Sequence, residues 1–179
     1  MNQEMSCCII GNTPQTLPCG FDESNDYCIK LKQLLQEQIL YLIKTLGVSH
    51  FISGVDLGVG QYGAEIILDL KKDYPQIILE CVSYCEKQAQ NWSVAQRERY
   101  FSIIAQCDRE KLLQRSYSKD CRKKRREYMV TQSQYILAVW NGSPGNARNF
   151  LTLARKLGRP AIVINPDTLE VSSEAVRAR

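Results

Sequence analysis

The sequence predicts an α/β protein, a Rossmann-like three-layer α/β/α sandwich with a mainly parallel sheet. Short apolar runs alternate with stretches whose apolar positions recur every three or four residues, the pattern of strands joined by crossover helices. Three of those runs end in glycine-bearing loops, and a helix follows each loop. No repeat or low-complexity segment interrupts the alternation. The 179 residues are therefore expected to form one domain, with a core over about residues 6–166 and a short tail.

Each element has its own signal. Cys7 to Ile10 reads as a buried strand stopped by Gly11, and GNTPQTLPCGFDESND has the composition of a loop. From about Glu23 to Leu46, Leu31, Leu34, Leu35, Ile39, Leu42, Ile43 and Leu46 form one apolar face of a long helix, and Gly47 stops it. A strand through Phe51 and Ile52 then meets Gly54, Gly58, Gly60 and Gly63. Ile66, Ile67, Leu70 and Tyr74 follow at helical spacing until Pro75. Ile77 to Val82 is a second buried strand, so this unit implies a right-handed parallel crossover. Glu86 to Gln106 reads as a helix broken near Asn91 and Trp92, Lys111 to Gln114 as a short strand, and Asp120 to Gln134 as a helix. Tyr135 to Trp140 is a buried strand ending in NGSPGN. Ala147, Phe150, Leu151, Ala154 and Leu157 then mark a helix closed by Gly158, and Ala161 to Ile164 a last parallel strand. The polar tail from Thr168 is expected to fray.

Composition narrows the function classes. With 44% hydrophobic and 23% charged residues, and no apolar run long enough for a membrane span, the chain reads as soluble, with no membrane partner. The start, MNQEMSCCIIG, lacks a basic n-region, which points to the cytoplasm. Eight cysteines without a secretory signal are expected to be reduced and mostly buried, and their spacing fits no metal site. His50, the only histidine, is expected to be structural. The net charge of +4 is concentrated between Arg109 and Glu127. That run is most simply a solvated helix face, and segment 119–126 is the sharper candidate for a nucleic-acid or protein contact.

The glycine loops carry the chemistry. Such a loop lets the backbone approach a ligand and aims unpaired N–H groups, with the positive end of a helix dipole, at an anion. In this fold class the ligand sits at the carboxyl ends of the strands, where the strand order reverses. The candidate phosphate-binding residues are Gly11, Asn12, Thr13, Ser53, Gly54, Asp56, Gly58, Gly60, Gly142, Gly145 and Asn146. Arg125 offers a guanidinium fork matched to phosphate oxygens. Trp92, one turn after Gln88, is the candidate for stacking on a base, although packing is the more common fate of a helical tryptophan. Gly58, Gly60 and Gly63 also spell the dinucleotide pattern, with Glu80 near the place of its ribose-binding acid. Gly54, Val55, Asp56 and Leu57 separate that pattern from the strand and Glu80 lies inside its strand, so an NAD-like ligand ranks second.

The segments CCIIGNTP, FISGVDLGVGQYGAEIILDLKKDYP, Gln88 with Trp92, CDREKLLQ, RREYMV and YILAVWNGSPG, in that order and spacing, resemble the SLOG superfamily. The superfamily includes the LOG-type phosphoribohydrolases and the DprA-like DNA-processing proteins, and the chain is most similar to its YpsA-like branch. The resemblance covers about Cys7 to Pro166. It implies a Rossmann-like domain that binds a nucleotide or related ligand, such as ADP-ribose. Asn12 and Thr13 stand where the branch usually has a His-Arg pair, and Gly60 where its loop has an aspartate. Arg125 matches the branch's arginine, with Arg126 in place of an asparagine. Gly145-Asn146-Ala147 represents a Gly-Gly-Thr phosphate loop, and the phosphoribohydrolase glutamate after it is replaced by the region Arg148, Asn149 and Phe150.

N-glycosidic hydrolysis needs a positioned carboxylate, and only Asp56 or Glu65 is near enough in sequence to replace the lost one. Of these Asp56 is the catalytic candidate, while Glu65 reads as a dipole-compensating residue near the start of its helix. The first expectation is therefore a binding or sensing domain for a phosphate-bearing small ligand, with weak or no catalysis. A phosphoribohydrolase-like enzyme is the second, and a DNA-processing or protein-interaction module the third. No cofactor or metal is specified by a motif, and the sequence leaves homo-oligomer formation open.

Overall fold

Alternation along the strands divides the apolar side chains between two faces of one sheet. Cys7, Ile9, Phe51, Leu79, Leu137 and Ile162 lie in one buried layer, and Cys8, Ile10, Ile52, Val82, Ile136 and Val163 in the other. A computed structural model describes residues 4–174. In chain order the elements are β1 (Met5–Ile10), α1 (Asp26–Lys44), β2 (Val48–Ser53), α2 (Val59–Leu70), β3 (Ile78–Ser83), α3 (Val94–Gln106) and β4 (Arg109–Leu112). They continue with α4 (Cys121–Thr131), β5 (Tyr135–Val139), α5 (Asn146–Lys156), β6 (Ala161–Ile164) and β7 (Val171–Glu174). Helices α1, α2 and α3 pack on the first layer, and α4 and α5 on the second. The result is a Rossmann-like three-layer sandwich.

The sheet runs β4-β3-β2-β1-β5-β6-β7, parallel throughout except for β7. The chain works outward from β1 to β4 on one side, then returns to β5 beside β1 and works outward on the other. The order therefore reverses between β1 and β5, where a doubly wound sheet opens a crevice.

Local chemistry sets the helix limits. Asn25 caps α1 by accepting from the Tyr27 amide at 2.9 Å, and Leu31, Leu35, Ile39 and Leu42 form its buried stripe. Each such side chain contributes about 1.5–3 kcal/mol relative to exposure in water. Ser93 and Gln96 make a reciprocal capping box at α3. Helix α2 lies so close to β1 that a Cβ on Gly63 would stand 2.8 Å from Ile9 Cγ2.

Several sequence-based boundaries move. Glu86 to Asn91 forms turns rather than helix, so α3 begins at Val94 beyond the Ser93 cap. The short strand expected at Lys111 starts at Arg109, where it pairs in register with Glu80. The tail expected to fray instead contains β7, whose residues pair antiparallel with β6. Its side chains are mostly exposed, so period-two burial could not reveal it. Residues 175–179 of that tail lie outside the described residues. Among the described residues, no helix is long and apolar enough to cross a membrane.

Candidate functional site

The loops after β1, β2 and β5 meet at the switch point. A Cβ on Gly11 would lie 2.8 Å from both Val139, the last residue of β5, and Val59, the first of α2. The Val59 amide donates to Asn12 O at 3.1 Å. Gly58 has φ +85°, and a Cβ there would stand 2.5 Å from Asn12 O, so both conformation and space demand glycine. Gly11, Asn12, Gly58 and Gly60 are thus brought together at the start of α2. Thr13 is exposed beside them, and its carbonyl accepts from Thr16.

Ser53 ties the loop together from inside. Its buried hydroxyl donates to Gly60 O at 2.8 Å and accepts from the Val55 amide at 3.0 Å, fastening the loop to α2. Val55 pays for the tight turn with φ +54°. Gln61 N donates to Asp56 O and Tyr62 N to Gly58 O, so much of this loop's hydrogen bonding is internal.

Arg125 is buried, at 4% exposure, rather than part of a solvated helix face. Its Nη2 pairs with Asp56 Oδ2 at 2.5 Å, and its Nη1 donates to Asp56 Oδ1, Gly54 O and Gln88 Oε1 at 3.2–3.3 Å. The guanidinium also lies 5.0 Å from the centre of the Tyr84 ring, and Arg122 lies 5.2 Å from the same ring. Gln88 completes the junction, donating to Gly54 O at 2.8 Å and accepting from the Tyr84 amide at 3.0 Å. The fork that matches a phosphate is therefore occupied by Asp56, and an incoming anion reaches it only by exchange with that carboxylate. Spacing could nominate Asp56 and Arg125 separately, but their pairing across 69 residues had no sequence signal. Tyr84 was missed because a tyrosine after an apolar strand is ordinary.

The loop after β5 is open. Gly142, Ser143, Pro144, Gly145 and Asn146 are all exposed, and Gly142 and Gly145 have positive φ. Trp140 Nε1 donates to Ser143 O at 2.8 Å, and Asn141 ties the loop to Asp167. Gly145 is the N-cap residue of α5 and Gly58 that of α2, and neither helix has a side-chain cap or an acid in the first turn. Side chains do cap α1 and α3, and α4 lacks a side-chain cap too but follows Asp120 rather than a glycine. Three buried polar atoms near these loops lack hydrogen-bond partners among the described residues: Asn12 Oδ1, Gln61 Nε2 and Arg125 Nε.

Trp92 packs edge-to-face on Tyr100, with ring centres 5.5 Å apart. Glu80 is held by His50 and Tyr128 in the amino half of β3, away from the crevice. Glu65 sits mid-helix rather than near the start of α2, and its bidentate partner is Arg99. Arg99 and Lys32 also grip Glu23 in the long β1–α1 loop, and both cations lie over the Tyr62 ring. Burial alone would raise the Glu23 pKa, but those hydrogen bonds and charges bring it down to about 2. Burial pushes the Cys8 thiol up to about 12, as befits a core residue. Among the described residues, no group of three or more His, Cys, Asp or Glu side chains is placed to hold a metal ion.

These features define a Rossmann-like domain with glycine-started helices on either side of its switch point. The chain belongs to the YspA SLOG family, whose model matches residues 7–161. It is 30% identical over 129 residues to a UPF0398 protein of Halalkalibacterium halodurans, covering 70% of this chain and 68% of that one. It is also 30% identical over 157 residues to the SPbeta prophage-derived protein YoqJ of Bacillus subtilis, covering 80% and 92%. With the UPF0398 protein YpsA of Bacillus subtilis it shares 24% identity over 161 residues, covering 86% and 89%.

Proposed function

We propose that this protein binds a small phosphate-bearing ligand, a nucleotide or a relative such as ADP-ribose or NAD, at the β1/β5 switch point. It acts as a binding or sensing domain with little or no catalysis. The observation that carries this reading is the pair of helix starts. Helices α2 and α5 both follow an N-cap glycine, without a side-chain cap or first-turn acid, at the carboxyl ends of β2 and β5, the two strands that flank β1. The unpartnered Arg125 Nε adds a donor near them, and Asn12 Oδ1 an acceptor for a ligand hydroxyl. Asp56, the one carboxylate at the loop, is committed to Arg125, which argues against its use as a general base in the unliganded protein.

Thermal-shift screening against AMP, ADP-ribose, NAD and inorganic phosphate tests the binding, because a bound state gains stability as ligand concentration exceeds Kd. A rise in Tm with one of these probes is expected. Release of ribose 5-phosphate from nucleoside monophosphates, abolished by Asp56→Asn, would instead establish the hydrolase reading.

A further inference from the structure

Polar residues occupy strand positions at the end of the sheet opposite the crevice. Ser6 of β1 and His50 of β2 are paired in register, as are Glu80 of β3 and Arg109 of β4. All are on the α4 side, because they share the parity of Cys8, Ile52 and Val82. Together with Tyr128 of α4 they line an open, mainly polar cleft of about 650 Å³. This volume is in the range of small-molecule sites.

The cleft has a rigid floor and a replaceable occupant. His50 and Glu80 are buried, and Glu80 Oε2 lies 2.6 Å from His50 Nε2, while Tyr128 Oη donates to Oε1 at 2.6 Å. Both oxygens of the buried carboxylate are thereby engaged. On its other side, His50 Nδ1 lies 3.4 Å from Glu4 Oε2. Arg109 grips both oxygens of Glu4, at 3.0 and 3.3 Å. Glu4 precedes β1 and its side chain is 38% exposed, so little packing fixes it in place. Among the described residues, Glu4 is the only ion-pair partner of Arg109.

We infer that the amino-end cleft is a second binding site, for a small carboxylate, and that Glu4 is the carboxylate that occupies it from within the chain. The planar fork of Arg109 and the adjacent imidazole nitrogen are the recognition elements. Glu80, with Glu110 also lining the cleft, makes the seat unfavourable to a dianionic phosphate and suits a singly charged planar head. The exposed Lys111, 5.6 Å from the centre of the Tyr128 ring, is placed to meet a second carboxylate of a diacid. An external acid competes with Glu4, so its apparent affinity is reduced by the fraction of time the seat is filled.

The test uses succinate as probe and the imidazole NMR signals of His50 as readout, since the chain has no other histidine. In Glu4→Ala, succinate should shift those signals saturably and bind about tenfold more tightly than in the native chain. Glu4→Gln, whose uncharged amide oxygen can still accept from Arg109, should show a smaller gain than Glu4→Ala. Adding Arg109→Gln to Glu4→Ala should abolish the response while leaving the backbone amide spectrum folded. No response in either Glu4 variant, equal affinity in native and variant chains, or retained binding without Arg109 would overturn the assignment. Tighter binding of inorganic phosphate than of succinate would overturn it too.

Discussion

The guanidinium of Arg125 occupies the space that a side chain on Gly54 would need: a Cβ built there lies 2.8 Å from both Cζ and Nη1. Strand β2 is followed by a glycine, so that a buried arginine from α4 can cross its tip and reach Asp56. Sequence reading gives the glycine to an anion loop, whereas its immediate neighbour is a cation.

Gly54→Ala should displace Arg125 from Asp56 and Gln88, costing about 1–3 kcal/mol. Chemical denaturation should register the loss as a lower midpoint with an unchanged slope. A stability equal to that of the native chain would mean that the guanidinium moves aside freely.

Arg125→Lys should destabilise nearly as much as Arg125→Ala, by about 2 kcal/mol, because one ammonium cannot replace a fork that reaches Asp56, Gly54 O and Gln88 together. Asp56→Asn should cost less, since Asp56 is partly exposed and an amide oxygen still accepts from Nη2. Thermal melts of the three variants would rank them.

Gly58→Ala should be more damaging than an alanine at an exposed turn glycine such as Gly142. It places a side chain at φ +85° and 2.5 Å from a backbone oxygen, neither of which a rotamer change relieves. Gly142→Ala suffers the strained φ alone, because its surroundings are open. The difference in unfolding free energy between the two variants measures the crowding at Asn12.

Glu23 sets an acid limb. Its pKa falls from 4.5 to about 2 on folding, so its contribution is complete above the higher value and disappears as pH drops toward the lower one. Glu23→Gln should lower stability near neutral pH by roughly 1 kcal/mol, a modest figure because the group is partly exposed. The variant should also show a flatter fall in Tm between about pH 4.5 and 2. An unchanged acid slope would show that Arg99 and Lys32 do not hold this carboxyl in solution.

The layered fold was legible because burial writes it into residue periodicity: Leu31, Leu35, Ile39 and Leu42 mark α1, and the apolar runs at β1, β2, β3 and β5 mark the inner sheet. β7 escaped because an exposed edge strand has no apolar face to advertise. Glycine content located the loops at the switch point, yet it could not say which glycines crowd protein atoms and which lie open. Gly54 and Gly58 are crowded, and Gly142 and Gly145 are open. The pairings Arg125 with Asp56 and Arg109 with Glu4 depend on which distant strand ends become neighbours, a property of sheet order rather than of local spacing.

The most direct test of an anion seat at the start of α5 is calorimetric titration of the native chain and of Asn146→Asp with AMP, ADP-ribose, NAD and inorganic phosphate. Asn146 is exposed at the first position of that helix, so the substitution adds a negative charge with little disturbance of packing. At least one probe should bind the native chain, and the added carboxylate should weaken it about tenfold. Failure of every probe to bind, or equal binding to both chains, would contradict the account.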